Sequence, residues 1–314
     1  MEASLRESTR TKYKSSWKRF LTYCSNESID IHNISIREIL NYFGYLFRTG
    51  ASFSVINTSK ISLSHFLHFP PYQKLSDHPI IDKFFNRLFN LNPPKPKLST
   101  TWEVNIVFSQ FIKWGDNALL TDKKLTQKLL LLLLRLGGQR VNTIFSFTVN
   151  SMLVTDISVT FAPSNVLKHS KKGSKLGNFS YNSYPHEPLL CVVSCCSEYL
   201  QRRSKRVDEK EEKLFTTYGK PYKAASIDSL RRWVKDFFSE CNILHSPHSC
   251  RSASTSKAAL VGIDLDSILK KACWKNQKTF LNHYKKNITV AEEPPDSNKI
   301  ITKNWLIFIL FSRC

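Results

Sequence analysis

The chain has 314 residues, with 46 Lys and Arg against 25 Asp and Glu, a formal charge of +21 and a pI near 9.7. Hydrophobic residues make up 41%, enough for ordinary globular cores, which excludes a mainly disordered basic tail. The length suits two domains, and a charge of this size says little about fold but points to a polyanionic partner.

The N-terminal MEASLRESTRTKYK has no apolar core of the kind a secretory signal needs, so an intracellular, nuclear location is expected. Residues 8–24 predict an amphipathic helix with Ser8 as N-cap, because Tyr13, Trp17, Phe20, Leu21 and Cys24 fall on one helical face. Arg10, Lys14 and Lys18 recur every four residues along one edge of that face. They are either a solvated flank or a row of phosphate contacts. Ser35 and Glu38 form a capping box for a second helix carrying Ile39, Leu40, Phe43, Leu46 and Phe47, which stops at Gly50. A third helix is expected at 54–68, closed by Phe69-Pro70-Pro71, and a fourth opens at Pro79, a favoured first-turn position. Residues 1–91 therefore read as an all-α domain.

Residues 92–98 contain three prolines within Pro93-Pro94-Lys95-Pro96 and read as an extended linker. Both flanks are basic: 12 Lys and Arg against 7 Asp and Glu before residue 93, 34 against 18 from there on. One polyanion could therefore engage both. The part from 99 to 290 is mixed, with helices expected at 100–114, 122–136, 188–203, 226–240, 250–260 and 264–272 and strand character at 157–161 and 178–184. A basic, Gly-bearing turn, Lys168-His169-Ser170-Lys171-Lys172-Gly173-Ser174-Lys175, lies between the strands. The remainder, 291–314, is a tail.

Two apolar runs, Leu129–Leu134 and Trp305–Phe311, fall short of the ~20 residues of a membrane span. The first, bounded by Lys128 and Arg135, reads as a buried core helix. The second must bury itself against something. No membrane association is expected. None of the eight cysteines falls in a paired C-x-x-C arrangement, so they are expected as reduced thiols, with Cys191, Cys195 and Cys196 in a helical core and neither metal nor other cofactor implied.

Four segments carry chemistry. Arg140 follows two glycines at the end of the leucine helix, which pre-positions a guanidinium suited to a phosphate. The Lys168 turn is the second. His248 and Arg251 stand three apart at the opening of a helix whose amides would also meet an anion. Trp274 precedes Asn282-His283-Tyr284-Lys285-Lys286. Taken singly, each is also compatible with ordinary capping or surface chemistry.

In this order on a basic chain, Arg, Lys, His-x-x-Arg, Trp and Tyr resemble the tyrosine recombinases, the phage-integrase-like family. Arg251 to Trp274 spans 23 residues and Trp274 to Tyr284 spans 10. The stretch PHSCRSASTSKAALVGIDLDSILKKACWKNQKTFLNHYKK is similar to the family's C-terminal signature, most of all in recombinases of eukaryotic mobile elements such as the DIRS-type retroelements. PPKPKLSTTWEVNIV and KLTQKLLLLLLRLGGQRVNTI resemble the same subgroup, and the likeness covers roughly residues 8–286. It implies a mainly α fold with a small β component: an all-α, SAM-like core-binding domain and a mixed α+β catalytic domain, closing as a clamp on double-stranded DNA and self-associating there.

The resemblance also implies roles. Arg140 and Arg251 would hold the scissile phosphate, and His248 would hydrogen-bond it or assist proton transfer. Trp274 would pack the site, Lys168 would protonate the departing 5′ oxygen, and Tyr284 would form a 3′-phosphotyrosyl link. Arg10, Lys14, Lys18, Lys172 and Lys175 would grip the backbone, and Lys171, Lys172 and Lys175 are alternatives to Lys168 as the acid. A catalytically silent DNA-binding relative and a type IB topoisomerase-like enzyme remain rival expectations. Two residues depart from the pattern: Cys273 stands where Gly is usual, and Thr143 where bacterial members commonly carry an acidic residue.

Overall fold

The structure, a computed structural model, describes residues 5–72, 74–93, 99–163, 177–274 and 276–289. Contacts divide the chain into two compact units, Met1–Lys97 and Leu98–Cys314. Residues 94–98 of the linker, the basic turn at 168–175 and the whole tail 291–314, with its apolar run Trp305–Phe311, lie outside the described residues.

The first unit is four helices, α1 Glu7–Asn26, α2 Ile36–Arg48, α3 Phe53–Leu63 and α4 Pro79–Leu91. The capping box that opens α2 is formed: Ser35 N donates to Glu38 Oε2 at 2.6 Å and Glu38 N donates to Ser35 Oγ at 3.3 Å. Its core is aromatic, with Phe20 edge-on to Tyr42 at 5.0 Å and Phe43 edge-on to Phe85 at 5.3 Å. Between α1 and α3 three buried serines replace bulk with hydrogen bonds, Ser16 Oγ to Ser59 Oγ at 3.1 Å and Ser62 Oγ to Ser16 Oγ at 2.8 Å. Three expectations are corrected here. The N-cap of α1 is Arg6, since Thr9 and Arg10 donate to its carbonyl, and Ser8 lies within the helix. The buried face of α1 is Ser16, Phe20, Tyr23 and Cys24, leaving Leu21 exposed. The third helix ends at Leu63, not 68; Ser62 and Ser64 turn their hydroxyls back on the carbonyls of Ser59 and Lys60, an interaction that competes with helix continuation.

The second unit is built around α6 Asp122–Gly137. Leu129 to Leu134 are all essentially inaccessible, because α8 Val192–Ser204, α9 Ile227–Glu240 and α10 Ser249–Leu260 pack around α6. A helix apolar on every side is stable only where neighbours cover every side. The flanking cations are not boundary residues as expected: Lys128 and Arg135 are 0% and 1% exposed. The Arg135 guanidinium lies 4.6 Å from the Trp102 ring centroid and 6.0 Å from that of Phe108, and burial pushes its pKa down to about 10.

The other helices are α5 Asn105–Trp114, α7 Val141–Phe145, α11 Leu265–Lys271 and α12 Gln277–His283. An antiparallel sheet joins β2 Met152–Val154, β3 Ser158–Phe161 and β4 Phe179–Asn182, with Val159 opposite Tyr181 and Phe161 opposite Phe179. A second, parallel pair joins β1 Thr100–Trp102 to β5 Asn287–Thr289 in the register Thr100 to Asn287 and Trp102 to Thr289. The helix expected at 100–114 therefore begins only at Asn105, and β2 and β5 were not anticipated. Among the described residues no helix is long and apolar enough to cross a membrane. Cys24, Cys191, Cys195, Cys196 and Cys250 are buried free thiols.

At the C-terminal end of α6 the chain passes close under Tyr181. A Cβ on Gly137 would lie 2.6 Å from Tyr181 Oη, which itself donates to Leu133 O at 3.2 Å. Gly137→Ala is expected to destabilise the protein by about 1–3 kcal/mol through overpacking, read as a lower urea midpoint at unchanged slope, with a smaller loss in a Tyr181→Phe background.

Candidate active site

The end of α6 sets the first site residue. Gly138, at φ 56°, adopts the left-handed conformation that closes a helix. Gln139 then donates from Nε2 to both Gly137 O and Lys271 O at 2.8 Å, fastening the end of α6 to the end of α11. Arg140 follows as the N-cap of α7, half-buried, and its Nη2 donates to Tyr284 Oη at 3.4 Å.

The second group comes from α10. His248 is its N-cap and is exposed; Arg251, one turn further, is 1% exposed. The Arg251 guanidinium stacks 4.2 Å from the Trp274 ring centroid and 5.4 Å from that of Tyr284, and Nη2 donates to Ala272 O. The Trp274 and Tyr284 rings are 4.6 Å apart, and the His248 ring lies 6.3 Å from Tyr284. Five of the predicted residues, Arg140, His248, Arg251, Trp274 and Tyr284, are thus in one place, although Arg140 and Tyr284 are 144 positions apart in sequence.

The site lacks a counter-charge. Among the described residues neither Arg140 nor Arg251 forms an ion pair. Two buried donors there, Arg251 Nε and Trp274 Nε1, have no hydrogen-bond partner. Burial first, and the like charge of Arg140 second, push Arg251 down to about 9. Two cations and unpaired donors converging beside a phenol form a receptacle for an anion with several acceptor oxygens.

Cys273, expected as a departure from a usual Gly, has φ 54°. That is the left-handed region where glycine is least strained, so the position is a backbone requirement and the thiol is not needed for it. Gln139 was not anticipated as a positioning residue; its place between two glycines and Arg140 was the available signal. Lys168, Lys171, Lys172 and Lys175 lie outside the described residues. In the first unit, Arg10 pairs with Glu7 and, with Lys14, borders an apolar groove of about 330 Å³ lined by Tyr13, Trp17, Leu21 and Phe66. Lys14 and Lys18 are exposed. Among the described residues no group of His, Cys, Asp and Glu is arranged to hold a metal ion.

No family sequence model matches the chain, and no curated protein matches it either. Solved structures do. The XerH site-specific recombinase bound to difH substrate, in a pre-cleavage complex, superposes with a TM-score of 0.59 at 12% identity, over 86% of this chain and 75% of that one. The Tn1549 transposon integrase in complex with transposon right end DNA gives 0.56 at 13% identity, over 89% and 90%. A lambda integrase dimer bound to a COC' core site gives 0.51 at 12% identity, over 87% and 89%. The chain has the mainly helical tyrosine-recombinase fold with its small sheets.

The depressed pKa of Arg251 sets a pH dependence. Its protonated form binds the anion, so affinity is level while pH stays below about 9 and falls about tenfold per unit above it. In the free protein the folded pKa lies below that of an arginine in the unfolded chain, so holding the charge costs stability below about pH 9, and the cost is relieved as pH rises above that. The rise in Tm caused by added sulfate is expected to be constant from about pH 7.5 to 8.5 and to shrink towards pH 10. Arg251→Gln is expected to show only the general salting effect at every pH.

Proposed function

We propose that this protein is a DNA strand-exchange enzyme that works through a 3′-phosphotyrosyl intermediate. The observation that carries the reading is the convergence on a single tyrosine of two arginines without a carboxylate partner among the described residues, Arg140 Nη2 to Tyr284 Oη at 3.4 Å and the Arg251 guanidinium 5.4 Å from the Tyr284 ring centroid.

In this mechanism a scissile phosphate replaces the missing counter-charge. Arg140 and Arg251 hold its non-bridging oxygens and offset the charge that builds at phosphorus. The Trp274 indole N–H and His248 complete the hydrogen bonding. Tyr284 Oη passes its proton to His248 and attacks phosphorus; the new O–P bond forms as the bond to the 5′ oxygen breaks. The leaving oxygen takes a proton from the basic turn, with Lys168 as the acid. A 5′ hydroxyl of another strand then reverses the step, so that one phosphodiester is exchanged for another and no external energy source is consumed. The all-α unit and the catalytic unit both grip the duplex, with Arg10, Lys14, Lys18, Lys172 and Lys175 on backbone phosphates, and copies of the chain associate on DNA. The C-terminal signature supports placing the enzyme among those of eukaryotic DIRS-type mobile elements, acting in the nucleus.

A nicked suicide substrate, which releases the fragment beyond the cleavage point and so traps the intermediate, tests the chemistry. Presented as a library of duplexes, it is expected to yield a covalent protein–DNA band that Tyr284→Phe abolishes and that Arg140→Ala or Arg251→Ala lowers by about 10²-fold or more. Binding with no band from the parent chain indicates a silent relative, and relaxation of supercoils without exchange of strands indicates a topoisomerase-like enzyme. For the acid, Lys168→Ala is expected to lose activity on a normal duplex and regain it with a 5′-thio leaving group, which needs little protonation. Equal loss on both passes the role to Lys171, Lys172 or Lys175.

The grip on the backbone has its own measurement. Each phosphate neutralised lowers log K by about 0.9 per log unit of salt. A steep slope is expected for the parent chain, reduced by two to three such increments in a variant with Arg10, Lys14 and Lys18 all changed to Ala. An unchanged slope assigns these three to a solvated flank.

A further inference from the structure

Tyr284 sits in a three-residue passage between two fixed elements. On one side α12 closes where the amides of Tyr284 and Lys285 both donate to Phe280 O at 2.8 Å. On the other side β5 starts at Asn287, whose amide donates to Ser99 O at 3.0 Å, and pairs with β1. Sideways, the passage meets α10 through one hydroxyl. Ser256, 4% exposed, donates from Oγ to Tyr284 O at 2.8 Å and accepts from Lys286 N at 3.0 Å. Ser256 stands five positions after Arg251 on the same rigid helix, which begins beside His248.

The helix is itself pinned to β1 near both ends. Trp102 Nε1 donates to Ser249 Oγ at 2.8 Å, and Lys257 Nζ pairs with Glu103 Oε2 at 2.8 Å. The result is a closed frame: β1 holds α10 and β5, and the Ser256 hydroxyl joins α10 to the two successive peptides that follow the nucleophile, through Tyr284 O and Lys286 N. We propose that Ser256 is a positioning residue that fixes the distance between the Tyr284 oxygen and the phosphate held by Arg251. It does not touch the reacting atoms. It sets the backbone from which the phenol swings, so that phenol and guanidinium move as one body. Attack in line requires reacting atoms at about 3–3.5 Å, and a displacement of about 1 Å costs on the order of 10²-fold in rate.

This rests on the strand-exchange reading, and two measurements on the full chain separate it from that reading. The first needs no DNA: exchange of the Lys286 amide with solvent deuterium. Ser256→Ala is expected to speed it tenfold or more, while Ser256→Thr, which keeps the hydroxyl, leaves it within about threefold of the parent. The second is the single-turnover rate of adduct formation on the suicide duplex selected above, at saturating DNA. Ser256→Ala is expected to lower that rate tenfold or more with DNA affinity within about twofold of the parent, and Ser256→Thr to restore it. Lys286 protection unchanged in Ser256→Ala overturns the proposal, as does adduct formation at the parental rate. Equal losses of rate and Tm in the Ala and Thr variants would make Ser256 a packing residue, which also overturns it. If the parent chain forms no adduct on any duplex, the strand-exchange reading fails, and the clamp at Ser256 is judged on the amide exchange alone.

Discussion

The second unit holds a cation, Arg251, out of water with no carboxylate paired to it among the described residues. Withdrawing a guanidinium from solvent costs several kcal/mol even after relaxation. Arg251 recovers part of that from the face of Trp274 and from the Ala272 carbonyl, and Arg140 close by adds repulsion. A fold that needed only stability would fill the position with an apolar side chain. Keeping the arginine makes sense if the missing partner arrives from outside, and the partner must then be an anion with room for several donors at once. The preorganisation lies in the donors being in place beforehand, so that little rearrangement accompanies the arrival of charge.

Holding such a site together requires rigid neighbours, and the leucine helix α6 supplies the first. Because every face of α6 is packed, its C-terminal end is fixed against α8, α9 and α10 together. The turn through Gly137 and Gly138 delivers Arg140 at a set angle, and Gln139 fastens that turn to α11. The β1–β5 pair supplies the second anchor. Residues at the start of the unit hydrogen-bond with residues just beyond Tyr284, so this tyrosine is located by strand register. The geometry of the site follows from both anchors.

The helices that carry the site were legible in the sequence wherever a local signal was strong. The Ser35 and Glu38 capping box, the Pro79 helix start and the six leucines each correspond to a feature of the fold. The candidate site was legible for a different reason: the order and spacing of Arg140, His248, Arg251, Trp274 and Tyr284 form a pattern, although no single segment is specific. What escaped was non-local. Thr100–Trp102 and Asn287–Thr289 are three residues each, and their partners are 187 positions apart, so periodicity has nothing to work on. The same holds for Ser256, an ordinary helical serine by sequence whose importance comes from the 28- and 30-residue separations of its contacts. The burial of Lys128 and Arg135 also escaped, because a flanking cation reads as a boundary until the aromatic rings that cover it are seen.

The arginines of the second unit show why burial alone does not mark a functional cation. Arg202 lies against the carboxylates of Glu198 and Asp122 and the carbonyls beside them, a satisfied structural clamp. Arg203 spends its donors on the carbonyls of Glu211 and Lys213. Arg135 is as buried as Arg251, its pKa is also depressed, and its nitrogens have no hydrogen-bond partner among the described residues, but the rings of Trp102 and Phe108 cover it; it joins α6 to β1. Arg140 and Arg251, without an ion pair among the described residues, instead meet at Tyr284, Arg140 at its hydroxyl and Arg251 at its ring, with the exposed His248 at the rim. The net charge of +21 therefore has two physical meanings. Most of it is solvated and acts at a distance, drawing a polyanion to the surface with a strength that salt controls. A small fraction is held dry and without an ion pair among the described residues, where screening is weak.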